Sequence, residues 1–150
     1  MSSAAPVASA VIVKRTFAAP REKVFEAWVN PKLMALWFAR CKHSPVVEVQ
    51  EADARAGGAY RLVVTDDKGK VYRGHGVYRE VRRPERLVFT WNWDHDDYEG
   101  SLVTVDFREL SGGQFTEVTL THEMLPERAR EDHRKGWEEC YDMLEAALRA

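Results

Sequence analysis

The chain has 150 residues, enough for one domain with a sizeable core. It is 45% hydrophobic and 31% charged, and its 22 basic and 24 acidic residues leave a net charge of −2. That balance offers no electrostatic case for nucleic acid or an anionic membrane surface, and no apolar run approaches the roughly 18 residues that a bilayer span needs.

The first ten residues are small and apolar but lack the basic start and long apolar block of a signal peptide, so a cytoplasmic location is expected. There Cys41 and Cys140 should stay reduced. Residues 1–7 read as a frayed end. Residues 8–17 alternate loosely around a β-branched middle and read as a first strand. Pro20 opens a helix over 21–29, with Val24, Phe25 and Trp28 on one face. Pro31 disfavours helix at Asn30, so a second short helix is expected over 32–37, carrying Leu33, Leu36 and Trp37. Residues 41–45 read as a loop.

Six further strands follow, over 46–51, 59–65, 71–81, 87–93, 101–110 and 115–123. Turn signals separate them: Gly57-Gly58, Asp66 to Gly69, Arg83-Pro84-Glu85, the acidic stretch 94–100, and Ser111-Gly112-Gly113. The chain closes on a long amphipathic helix over 125–150. Pro126 suits its first turn, and His133, Gly136, Trp137, Cys140, Tyr141, Leu144 and Leu148 recur at spacings of three and four. Such a helix spans roughly 35 Å at about 1.5 Å per residue, the width of a small domain.

The expected class is therefore α+β. Strands joined by short turns make an antiparallel meander, and a twisted sheet of about seven strands curls. Its concave face would carry Tyr60, Leu62, Phe89, Trp91, Val105, Leu120 and His122, with the last helix lying across it.

This order resembles the helix-grip fold of START and Bet v 1-like domains, and more closely the family named after the activator of Hsp90 ATPase in its bacterial single-domain form. The stretches that carry the likeness are VFEAWVNPKLMALWF (24–38), GGAYRL (57–62), GVYREVRRPERLVFTW (76–91), TEVTLTHEMLP (116–126) and GWEECYDMLEAAL (136–148). The resemblance implies a curved sheet gripping the C-terminal helix around a cavity for a small apolar or amphipathic molecule. It does not identify that molecule, because one fold hosts many functions.

The residues themselves support a binding site of that kind. Phe89, Trp91 and Trp137 would give apolar contact, with Leu62, Val105 and Cys140 beside them. Trp37 and Phe38 end the short helix and would shape the mouth. Tyr60, Tyr78, His122 and His133 would supply the few polar groups. Gly136, a costly residue inside a helix, either leaves room for a ligand or lets a bulky strand residue pack closely; close packing is the favoured expectation.

Catalysis has less support. His122 or His133 is a conceivable acid or base, but no nucleophile triad or phosphate-binding motif is present. No cofactor is expected. Neither Cys41 with His43 nor the Asp94–Asp97 cluster has metal-ligand spacing, so no metal is expected. The leading expectation is a non-catalytic binder of a small hydrophobic ligand. A co-chaperone-like module and a cyclase- or hydrolase-type enzyme stand as alternatives, and a homodimer is left open.

Overall fold

The computed structural model describes residues 10–40, 45–98 and 100–149. The frayed end expected over 1–7, and Cys41 and His43 of the early loop, lie outside these residues. Among the described residues there are seven strands: β1 (Val11–Phe17), β2 (Val46–Ala52), β3 (Ala59–Thr65), β4 (Val71–Arg82), β5 (Arg86–Trp93), β6 (Ser101–Leu110) and β7 (Phe115–Glu123). Three α-helices join them: α1 (Arg21–Val29), α2 (Pro31–Met34) and the long α3 (Glu127–Arg149).

The strands form one sheet in the order β1-β7-β6-β5-β4-β3-β2. Every neighbouring pair is antiparallel, as short turns require of the five pairs consecutive in sequence. The first strand thus pairs with the last, Val13 opposite Leu120, while β2 and β3 form the far side. Register shifts at Val49/Glu51 in the β2–β3 pair and at Tyr78/Glu80 in the β4–β5 pair add local bend and twist. The curved sheet, the early helix pair and the C-terminal helix together make an α+β helix-grip fold. No helix among the described residues is long and apolar enough to cross a membrane.

Alternation in the strands fixes which side chains enter the core. In β3 the buried residues are Tyr60, Leu62 and Val64; in β7 they are Thr116, Val118, Leu120 and His122. β5 departs from simple alternation, since Val88, Thr90 and Asn92 are buried as well as Leu87, Phe89 and Trp91.

The helix pair closes one end. Phe25 of α1 meets Phe107 of β6 edge-on at 5.1 Å, and the Thr116 hydroxyl donates to the Ala19 carbonyl at 2.8 Å. Asn30 caps α2 by accepting from the Lys32 N–H at 3.0 Å, with Pro31 at the first helical position. α2 is shorter than its sequence suggests, because the chain leaves regular helix after Met34 and reaches a left-handed Ala39 (φ 60°). Leu36 consequently faces solvent, while Trp37 is wholly buried on Trp28 at 4.5 Å.

α3 is fastened along its C-terminal half. Tyr141, Leu144 and Leu148 are buried, and the Tyr141 hydroxyl donates to the Val13 carbonyl at 3.2 Å. Arg15 on β1 reaches Glu138 at 3.1 Å, Asp142 at 2.7 Å and Glu145 at 3.5 Å, acids spaced along one helix face. Lys23 donates to the Leu148 carbonyl at 3.0 Å, occupying an acceptor that the helix end leaves open.

Candidate functional site

Toward its N-terminal half α3 borders a cavity of about 800 Å³, within the range of small-molecule sites. Its floor is aromatic and apolar: Phe38, Trp91 and Trp137, with Val64 and Cys140 beside them. Ala39 and Arg40 stand at one end. The β3–β4 hairpin supplies Asp66, Asp67, Lys68 and Tyr72, and β5 with its following turn supplies Trp93 and His95. The helix side is made by Asp132, His133, Gly136 and Glu139.

Glycines let the rings of Trp91, in the floor, and Tyr60, behind it, lie flat on β4. A Cβ on Gly74 would come within 2.8 Å of the Trp91 ring, and one on Gly76 within 2.6 Å of the Tyr60 ring. The two rings lie over these bare stretches of β4 and are nearly parallel, 7° apart with centroids 6.3 Å distant. Glycine inside a strand usually weakens it, but Gly74 and Gly76 are seats for aromatic side chains.

Gly136 is the opposite case. A Cβ built there meets nothing within 4 Å, and the residue lines the cavity. This corrects the expectation of close packing: the glycine faces open space. Its helix cost of about 1 kcal/mol relative to alanine is offset by no contact at this position.

His122 holds the helix wall in place. The Trp137 indole donates to its Nδ1 at 3.0 Å, so the proton sits on Nε2, which donates to the Ser101 hydroxyl at 3.0 Å. Ser101 in turn donates to the Trp91 carbonyl. Burial, reinforced by His133 nearby, pushes the His122 imidazole down from 6.5 to about 3, so it is neutral near pH 7. Both ring nitrogens are engaged, and the residue positions Trp137.

His133 differs. Its Nδ1 donates to the Ala129 carbonyl at 2.9 Å, which leaves Nε2 as an acceptor in the neutral ring. That nitrogen is enclosed and has no hydrogen-bond partner in the protein.

Of the residues picked out in the sequence, Phe38, Trp91, His133, Trp137 and Cys140 come together around the cavity. The others lie elsewhere in the interior. Trp37 donates to the Ala27 carbonyl at 2.9 Å, and Tyr60 donates to the Thr90 carbonyl at 2.5 Å. Leu62 and Val105 are core residues, and His122 stands behind Trp137. Tyr78 and Phe89 line a separate small void.

The sequence reading missed Val64, Tyr72, Trp93 and the polar rim. The inward alternation of β5 marked Trp93, and that of β3 marked Val64. The rim had no comparable signal. The acidic loop is tied by ordinary surface pairs, His75 to Asp94 at 2.6 Å and Arg128 to Asp97. Among the described residues no group of three His, Cys, Asp or Glu side chains could hold a metal ion.

Comparison with known proteins places this geometry. Residues 18–149 match the family described as Activator of Hsp90 ATPase homolog 1-like protein. A crystal structure of a protein from Chromobacterium violaceum is similar with a TM-score of 0.84 and 27% identity, over 94% of this chain and 98% of that one. A solution structure from Staphylococcus epidermidis gives 0.81 at 24% identity, over 94% and 90%. A crystal structure from Rhodobacter sphaeroides gives 0.77 at 24% identity, over 93% and 92%. No curated protein matches the chain.

Proposed function

The chain belongs to the Activator of Hsp90 ATPase homolog 1-like family, and from that premise we propose that it binds a small amphipathic molecule, neutral or cationic, in the cavity beside α3 without transforming it. The observation that carries this reading is Gly136. A residue that weakens its own helix and faces open space is accounted for by the room it leaves in a cavity of about 800 Å³.

The chemistry of the walls narrows the ligand. Phe38, Trp91 and Trp137 suit a hydrocarbon chain or a planar ring system. At the rim, Arg40 and Lys68 stand among four carboxylates, Asp66, Asp67, Asp132 and Glu139. Backbone N–H groups of Lys70 and Lys68, burial acting against them, hold Asp66 below the usual carboxylate range, so it carries charge. A hydroxyl or ammonium head fits this surrounding; a carboxylate head meets like charge.

Trp91, Trp93 and Trp137 are natural reporters, since each lines the cavity. Titration of their fluorescence with dodecanol, dodecylamine and dodecanoate should show saturable binding of the first two and about tenfold weaker binding of the third. Gly136→Leu should abolish the response while the protein stays folded. Tightest binding of dodecanoate would overturn the charge assignment, and absence of saturation with all three would overturn the cavity reading.

A further inference from the structure

A second void lies deeper, of about 10 Å³, close to the space one water needs. Its wall is mostly apolar, with Met34, Leu87 and Phe89, but it includes Trp28 and Tyr78. The Trp28 Nε1–H and the Tyr78 hydroxyl are fully enclosed, and neither has a hydrogen-bond partner in the protein. The residues are 1% and 2% exposed. The third polar residue of the wall, Tyr60, already donates to the Thr90 carbonyl. Both residues border the void, and a desolvated, unpaired polar group is costly to maintain without a partner.

We propose that this void is a binding site for a single uncharged oxygen atom, held by Trp28 Nε1–H and the Tyr78 hydroxyl, and supplied either by one water or by a carbonyl or hydroxyl of a cavity ligand. The oxygen is uncharged for two reasons. Burial, and then the nearby Asp53 carboxylate, raise the Tyr78 hydroxyl well above its ordinary range, and the same surroundings disfavour an anion. No basic side chain lines the void.

Phe38 separates this site from the main cavity, since it lines both. Its ring lies 5.6 Å from Trp91 and 5.7 Å from Trp137 on one side, and 6.2 Å from Phe89 and 6.3 Å from Trp28 on the other. The next residue, Ala39, is held in the left-handed region (φ 60°), so the backbone beside the partition already bears strain. A ligand that displaces this ring would carry its oxygen to Trp28 and Tyr78. The water form stands without any ligand; the ligand form rests on the cavity reading above.

Two measurements decide it. The Tm of Tyr78→Phe without ligand should fall by about 3 °C if the hydroxyl holds an oxygen; an unchanged or raised Tm overturns the oxygen site. In Phe38→Ala, or in Phe38→Leu should the first not fold, 2-decanone should bind at least fivefold tighter than to the wild type, and 1-decene less than twofold. Adding Tyr78→Phe should remove the ketone's advantage. A lower Tm with equal gains for ketone and alkene assigns the site to water alone and overturns the ligand form. If neither compound binds to any variant the cavity reading falls, while the Tm still decides the oxygen site.

Discussion

Residues 141–148 of α3 lie against β1 and α1, with Tyr141, Leu144 and Leu148 buried and Arg15 and Lys23 bonded along them. Residues 132–140 of the same helix instead border a cavity, with His133, Gly136, Trp137 and Cys140 in its wall. The sequence pattern is continuous across both halves, so periodicity alone does not separate them. What separates them is whether a partner side chain fills the facing space. One half holds the fold together; the other is free to serve as a wall.

The sharpest way to break this contrast is to truncate each half. Tyr141→Ala removes a wholly buried ring that packs edge-on to Phe17 at 5.4 Å and a bond to Val13. It should cost about 4 kcal/mol in urea unfolding. His133→Ala should cost less than about 1 kcal/mol, and equal losses would dissolve the distinction.

Acid tests the junction between the halves. His122 has a folded pKa of about 3, below its ordinary 6.5, because burial and then His133 oppose its charge. The unfolded chain therefore binds more protons between these values, and the contribution is complete above pH 6.5 and lost as pH falls toward 3. Unfolding free energy should decline with a slope approaching about 1.4 kcal/mol per pH unit from this residue. The slope should flatten in His122→Asn; if it does not, His122 is not the group responsible.

A third measurement raises stability. Gly136→Ala places a methyl in open space and should stabilise the protein by about 1 kcal/mol, by the helix preference of alanine. The same substitution should weaken dodecanol binding. Stabilisation with unaltered binding would mean the open space is not used. Smallest is Arg15→Ala, whose ion pairs with Glu138, Asp142 and Glu145 are partly exposed. It should cost up to about 1 kcal/mol, less in high salt, and leave binding unchanged.

Much of this architecture was legible in the residues. β3, β6 and β7 begin and end where alternation and turn signals put them, and the class and helix order follow from the same signals. Alternation reports the face of a sheet, not the depth along it. Hence Trp91 stands in the cavity while Leu62 and Val105, equally inward, lie in closed core. The rim was illegible for another reason. Asp66, Asp67 and Lys68 read only as a hairpin turn, and their approach to α3 follows from the curl of the sheet. Gly136 shows a third gap: a sequence records the helix cost of glycine but not what faces it.

The hydrogen-bonded chain from Trp137 through His122 and Ser101 to the Trp91 carbonyl has one more consequence. It ties the Trp137 indole on the helix to the backbone of β5 through bonds that exist before anything enters, so that indole is a fixed face of the cavity. Selection should then favour a slender chain or a flat ring that can lie along it over a bulky, branched skeleton of the same hydrophobicity.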